Sequence, residues 1–383
     1  MAGPKGTFFG CNAELVFVIL MLFTFLFLSI ALNYYDNWVL GPVSENKGLG
    51  FPAPLVYSLC HCIATLVCSI GLVYGRSGNK ITYQMFWGHK IKLVLNSLLL
   101  VISITMAGHM VKHASVSVIN VLRGCVAVPV LIFAFVFEGK RYSIPKILVI
   151  LIIVAASIIS VPWTTFTYDH EGFWLSISAT LCVAAKATVS SMLMKESKRD
   201  GMTPLVVLLF DSLFSSLFLM IACMFEGETI RLHQWQPSEP YVVLAGTIFG
   251  SLLAFPYNFI TYKFIQMTSA MGWAIATSFK LFIVIVVPLI IFDHTTWVGS
   301  YVGCAMFLLG ITLYAMLEAK YESAWLTDVL PKSMTIAEIN KKSDLDGTLA
   351  GEKTALNMAQ DKLNKLTDAA EAKKWVPKSW LAW

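Results

Sequence analysis

Charge is what this chain has least of. Asp, Glu, Lys and Arg together make up 13% of its 383 residues, about half the ~25% of a soluble globular domain. Hydrophobic residues make up 57%, and the mean hydropathy is +0.71. Those values exclude a soluble domain and a protein with a single anchor; they point to a polytopic membrane protein. Catalytic constellations are missing too. The chain has no Walker A loop, no Gly-x-Ser-x-Gly, no His-Glu-x-x-His and no paired His/Cys metal spacing. No enzyme activity, cofactor or metal is therefore expected. Seven of the eight cysteines fall in apolar runs, and Cys60 and Cys62 have no second pair at metal-site spacing. They read as small apolar fillers rather than a disulfide framework. The first apolar run is too long, and followed by too many others, to be a cleaved signal. The residues before it lack the Arg- and Ser-rich character of a transit peptide.

What is present is a series of apolar runs. Ten are expected to cross a membrane: residues 15–32, 51–74, 93–110, 116–137 and 147–163, then 173–194, 204–225, 240–260, 270–292 and 298–317. Each has about 17–24 residues, enough at ~1.5 Å per residue to cross roughly 30 Å of hydrocarbon. The loops between them alternate in charge. One set carries twelve cations: Lys5, Arg76, Lys80, Lys90, Lys92, Lys140, Arg141, Lys146, Lys195, Lys198, Arg199 and Lys263. The opposite set carries three, Lys47, Lys112 and Arg231. Twelve against three places both termini in the cytoplasm. The net charge of +5 follows from this bias, so no nucleic acid partner is expected.

Three cations lie away from the ends of the apolar runs: Arg123, Lys186 and Lys280. A cation near the bilayer centre costs about 2.5–3.5 kcal/mol by insertion scales, so it marks a buried pathway or binding site. One carboxylate, Asp211, is expected at similar depth. The interior is thus biased positive, and an anion is the expected cargo.

Five runs followed by five suggest an inverted repeat, because an odd number of crossings flips the second half. Residues 114–138 read ASVSVINVLRGCVAVPVLIFAFVFE, and 269–293 read SAMGWAIATSFKLFIVIVVPLIIFD. Both start small and polar, pass one cation, and end in an apolar stretch closed by Phe and an acid. Arg123 falls two residues from the position equivalent to Lys280. The expected fold is all-α, with a first five-helix repeat at 1–163, a second at 164–318, and a cytoplasmic tail at 319–383. That tail holds ten lysines and nine acids. Leu349, Leu356 and Leu363 make 351–374 an expected amphipathic helix. Trp375, Trp380 and Trp383 beside Lys373, Lys374 and Lys378 suit a membrane headgroup zone, and a solvated tail is the alternative.

Several of these residues carry a resemblance. Phe-Pro-x-Pro at 51–54 followed by His61, 116–123, Met202-Thr-Pro-Leu205, and FPYNFITYKFIQMTSA at 255–270 followed by Lys280 resemble successive motifs of one family. That family is the nucleotide-sugar and triose-phosphate transporters of the drug/metabolite transporter superfamily, and the likeness covers roughly 14–318. It implies ten helices, inverted five plus five, and strict exchange of organic phosphates across an organelle membrane. Departures refine the expectation. Plastid phosphate translocators carry Lys-Arg where this chain has Lys280-Leu281, a histidine at Asn120 and a lysine at Arg123. The family's common Asn-Lys in the first span is Asn33-Tyr34 here. These differences tilt the reading toward nucleotide sugars, although the FYNN and GALNK motifs of GDP-mannose carriers are absent.

The candidate site is built from Lys280, Arg123, Asn120, Lys186, Tyr257, Asn258, Trp273, Thr277 and His61. Lys280 lies about ten residues into its run, ~15 Å from the nearer surface by helical rise. That is too far for snorkelling, so its ammonium is expected to meet a cargo phosphate; a structural ion pair is the alternative. Thr277 and Trp273 lie one and two turns back on the same face. The Arg123 guanidinium suits bidentate phosphate binding, with Asn120 one turn away; its alternative is bonding to backbone carbonyls at a helix break. Lys186 and Asp211 are equidistant from the turn near Lys198, so they are expected to neutralise each other across antiparallel helices. The other arrangement has Lys186 facing the cavity. His61 and His109 read as interhelical hydrogen-bonding groups or as site residues. Tyr257 and Asn258 follow Pro256, where a kink frees backbone groups. Gly108, Gly124, Gly250 and Gly272 read as close helix-packing points.

The expected function is a secondary-active antiporter exchanging a nucleotide sugar for a nucleoside monophosphate across a Golgi or endoplasmic reticulum membrane. Its expected partners are a small organic phosphate anion and the lipid bilayer, with a homodimer or a tail-bound protein left open. Two alternatives stand beside it: a translocator of phosphorylated sugar and phosphate, and a transporter-fold scaffold subunit of a membrane complex.

Overall fold

Inside a bilayer every backbone amide and carbonyl needs a partner within its own segment, which leaves the α-helix as the form these apolar runs can take. A computed structural model of the protein describes residues 7–8, 11–41, 48–75, 83–113, 122–140, 142–160, 169–200, 203–235, 240–291 and 298–329. Two paired two-residue strands, Thr7–Phe8 and Cys11–Asn12, precede eleven helices among the described residues. They are α1 (Ala13–Leu40), α2 (Pro54–Gly75), α3 (Tyr83–His113), α4 (Ala127–Glu138), α5 (Ile144–Ile159) and α6 (His170–Asp200). The series continues with α7 (Pro204–Phe225), α8 (Glu228–Gln234), α9 (Pro240–Met267), α10 (Ala270–Ile291) and α11 (Val298–Val329). Six are long and apolar enough to cross a membrane, those within α1, α2, α3, α6, α7 and α9; 144–159 and 301–317 are shorter apolar helices. The chain divides into a first unit, Met1–Ala315, and a second, Met316–Trp383. The second is described only as the last turns of α11. The tail segment 351–374 and its tryptophans lie outside the described residues.

The helices of the first unit pair across the two halves of the sequence. α3 packs on α6 as α1 packs on α9, α2 packs on α7, and α4 packs on α10. Gly250 and Gly124 permit two further close contacts, of α9 with α2 and of the turn before α4 with α5. A Cβ on Gly250 would lie 2.3 Å from the Tyr57 hydroxyl, and one on Gly124 would lie 2.8 Å from Ser157 Cβ. Gly272 has only the preceding turn's Thr268 against it, and Gly108 faces open space. For Gly108 the expected packing role is thus corrected.

The first helix corrects a larger expectation. It runs to Leu40, eight residues past the expected end of the run, because 48–51 folds back onto its last turn. Leu49, Gly50 and Phe51 amides donate to the carbonyls of Trp38, Gly41 and Val39 at 2.9, 2.8 and 3.0 Å. The Tyr35 hydroxyl also donates to the Gly246 carbonyl at 2.8 Å. Asp36 is therefore carried inside a helix of the bundle, and Asp211 is not the one deep carboxylate.

Asp211 itself sits in a satisfied polar network joining α3, α6, α7 and α9. Asn96 Nδ2 and Ser97 Oγ each donate to its Oδ1 at 2.8 Å, and the Tyr262 hydroxyl donates to Oδ2 at 2.7 Å. Lys186 Nζ lies 3.6 Å from the same Oδ2, and Ser190 Oγ donates to Asn96 Oδ1 at 2.7 Å. Burying a carboxylate is tolerable on such terms, with a cation and several donors around it.

Both ends of the bundle are tied by carboxylates. At one end Glu228 Oε2 accepts from the Leu55 and Val56 amides at 2.8 and 3.0 Å, capping orphan donors at the start of α2. At the other, Glu138 binds Lys140 at 2.8 Å and also Lys195. Burial pushes the Glu138 carboxyl up, but hydrogen bonds from the two lysines outweigh it and leave it below its ordinary value. A lowered folded-state value stabilises the protein above the ordinary glutamate range of about 4.3. That contribution is lost as pH falls through the lowered value. Lys140→Met should weaken this acid-side dependence in detergent unfolding curves while changing stability at pH 7 by no more than ~1 kcal/mol, because the lysine is part-exposed.

Candidate functional site

The site begins with a proline. Pro129 has no amide to donate to Cys125, which weakens the helix at this point. The structure is helical at 122–124, turns at Cys125 and Val126, and resumes as α4. In the turn the Cys125 and Val126 amides take the carbonyls of Leu122 and Arg123 at 3.2 Å each, and Val128 takes that of Cys125. The Gly124 carbonyl is left over. Ser278 Oγ of α10 supplies its partner at 3.1 Å. That bond ties the residue after Arg123 to a residue two before Lys280, and so fixes the two cations relative to one another.

Lys280 is close enough to Arg123 for the two to interact electrostatically. Arg123 keeps an exposed side chain although protein surrounds it densely. Among the described residues neither cation has a carboxylate within 4.0 Å, in contrast to Lys186. The described carbonyls at the helix break are occupied by amides and by Ser278, and none of them takes the guanidinium.

Other expected residues gather here. Tyr257 lies within electrostatic reach of Arg123 and Asp36, with its ring stacked on Phe25 at 6.2 Å. Thr261 Oγ1 donates to its carbonyl at 2.8 Å, one turn beyond Pro256, and Asn258 is part-buried beside it. Trp273 Nε1, Thr277 Oγ1 and His61 Nε2 are buried without a hydrogen-bond partner among the described residues. A buried polar atom left unpaired costs about 1–3 kcal/mol; Thr277 and Trp273 lie one and two turns before Lys280 on α10, and His61 lies beside Asp36. Lys186 belongs instead to the Asp211 network, one residue away through Cys62, which neighbours both charges. His109 is engaged elsewhere, 2.8 Å from Glu226. Asn120 lies outside the described residues.

Sequence reasoning missed Asp36. It reaches Lys280 electrostatically, its Oδ1 accepts from the Tyr57 hydroxyl at 3.0 Å, and His61 Nε2 lies 4.0 Å from that oxygen. The available signal was Tyr34, Tyr35, Trp38, Val39 and Leu40, which carry the apolar pattern past Asn33 and Asp36.

A multi-pass bundle of apolar helices with an interior pair of cations defines a membrane protein suited to an anionic ligand. The comparisons with known proteins agree with that class. The Triose-phosphate Transporter family model matches residues 16–315, and the chain belongs to that family. It is similar to a probable sugar phosphate/phosphate translocator of Arabidopsis thaliana, 23% identical over 88% of this chain and 89% of that protein. It is also similar to UDP-galactose transporter 1 of the same plant, 23% identical over 46% of this chain and 52% of that protein. A crystal structure 13% identical in sequence covers 80% of this chain and 98% of its own, with a TM-score of 0.53; that likeness shows the fold.

Proposed function

We propose that the protein is a secondary-active antiporter that exchanges a nucleotide sugar for a nucleoside monophosphate across a Golgi or endoplasmic reticulum membrane. The observation that carries this reading is the pair Arg123 and Lys280, brought together by the Ser278–Gly124 bond and free of an ion pair among the described residues. Arg123 would grip a phosphate bidentately and Lys280 would hold a further oxygen as a point charge. Thr277, Trp273 and His61 would give their unpaired polar atoms to the rest of the cargo, with Tyr257, Asn258 and Asn120 completing the wall. Lys186 would stay with Asp211.

Ten crossings, as two inverted five-helix repeats with both termini cytoplasmic, accompany this proposal. The matched pairing of α3 with α6 and of α1 with α9 supports the repeat, because an inverted repeat must reproduce each contact in its mate.

Exchange follows from charge. Arg123 and Lys280 bring two positive charges and Asp36 returns one negative, so the empty site keeps an excess positive charge. Carrying that excess through an occluded state is costly in low dielectric, whereas a phosphate-bearing cargo offsets it. Proteoliposomes preloaded with uridine monophosphate should take up labelled UDP-galactose at least tenfold faster than empty ones. Equal rates would overturn antiport. The second reading, exchange of a phosphorylated sugar for phosphate, is favoured by the relative that aligns over most of both chains. Preloading with phosphate and supplying a labelled hexose phosphate is its test in the same vesicles.

A further inference from the structure

Two cations attract any small anion, inorganic phosphate included, so they do not by themselves select a cargo. Asp36 supplies what they lack. Its carboxylate acts on Lys280 and on Tyr257, and its side chain keeps 32% of its surface accessible. Its orientation is fixed through Oδ1, which accepts from the Tyr57 hydroxyl at 3.0 Å. Tyr57 is in turn held rigidly. It is 2% exposed, its ring meets His61 edge-on at 4.2 Å between centroids, and its hydroxyl packs so closely on Gly250 that no Cβ fits there. Oδ2 accepts no hydrogen bond from a described residue, and His61 Nε2, 4.0 Å from Oδ1, is buried and unpartnered. A fixed carboxylate with an oxygen unused among the described residues, an unpartnered imidazole nitrogen beside it, and Lys280 within electrostatic reach, itself close to Arg123, make a bipolar site.

We infer that Asp36, held by Tyr57 and flanked by the unpartnered His61 Nε2, is the specificity-determining group of this site: it selects phosphate esters that present a hydroxyl donor and disfavours inorganic phosphate. The inference rests on the cation reading of Arg123 and Lys280. A sugar or ribose hydroxyl donates to the free carboxylate oxygen while the phosphate lies on the cations. Inorganic phosphate can offer only a P–OH on the phosphoryl group itself, which carries the whole anionic charge with it toward the same carboxylate, and like charges at short range in low dielectric repel strongly. Attraction at one pole and repulsion at the other is how a site discriminates between ligands that share a charged group. His61, able to donate or accept through Nε2 according to its tautomer, tolerates either end of such a hydroxyl.

The test uses the purified full-length chain in detergent, with binding of UDP-galactose, a hexose phosphate and inorganic phosphate followed by ligand-induced thermal stabilisation. The wild type should bind at least one of the organic phosphates at least ~10-fold more tightly than inorganic phosphate, and Asp36→Asn should reduce that ratio by ~10-fold or more, chiefly by tightening inorganic phosphate. Asparagine is isosteric and can still accept from Tyr57, so the fold should survive. If Asp36→Asn does not yield folded protein, Tyr57→Phe, which frees the carboxylate to turn, should lower the same ratio. Changes by the same factor for organic and inorganic ligands, or no change in either variant, overturn the inference and leave the cation site standing. Failure of all three ligands to stabilise the wild type overturns the cation reading and the inference with it.

Discussion

Lys280→Ala should abolish cargo-dependent uptake in proteoliposomes while leaving the protein folded. Lys280 is part-buried, has no ion pair among the described residues, and shares the interior with Arg123. No carboxylate of a described residue lies within 4.0 Å of it, so folding should tolerate the change. Cargo loses one charge-assisted contact in a desolvated setting, which costs about 2–5 kcal/mol. At ~1.4 kcal/mol per decade that is roughly 30- to 4000-fold in affinity. Lys280→Arg should recover part of the loss, because charge is kept while the shape of the donor changes. Uptake by Lys280→Ala within about threefold of wild type, below the ~30-fold floor that this contact implies, would show that phosphate binds elsewhere.

The second large effect concerns stability. Asp211→Ala should destabilise the bundle by about 3–5 kcal/mol, since removing the buried partner leaves the part-buried Lys186 without its counter-charge. Asn96, Ser97 and Tyr262 would also lose the acceptor that binds them at 2.7–2.8 Å. The double variant Asp211→Leu with Lys186→Met should recover most of that loss, because replacing both members of a buried pair by apolar groups is often neutral. Unfolding midpoints of Asp211→Leu, Lys186→Met and the double variant form a cycle that isolates the pair's coupling. Strict additivity would mean that the 3.6 Å approach contributes nothing. A folded Asp211→Ala with the wild-type midpoint would contradict the role given to this network.

How far the sequence anticipated these features depends on whether each is set by counting along one helix or by packing between several. The Lys186–Asp211 approach was legible because two antiparallel helices joined at a known turn place equidistant residues at equal depth. The long apolar runs of α1, α2, α3, α6, α7 and α9 were legible by length alone. Asp36 was not, because Asn33 and Asp36 interrupt the apolar run, and the contacts that hold the last turns, from 48–51 and from Gly246, come from elsewhere in the chain. Likewise, a helix break near Arg123 was among the alternatives, but nothing local showed that Ser278 would take the freed Gly124 carbonyl. The identity of a donor 154 residues away is a property of the packed bundle. Gly108 and Gly250 make the same point: identical residues, one facing open space and one pressed against Tyr57 and Tyr35.

Equilibrium binding of labelled UDP-galactose and of a labelled hexose phosphate to the purified protein, compared with an Arg123→Gln, Lys280→Gln double variant of unchanged thermal stability, bears most directly on the role of the two cations. Saturable binding by the wild type and its loss in the double variant is the predicted result. Equal affinity in the two proteins would contradict it.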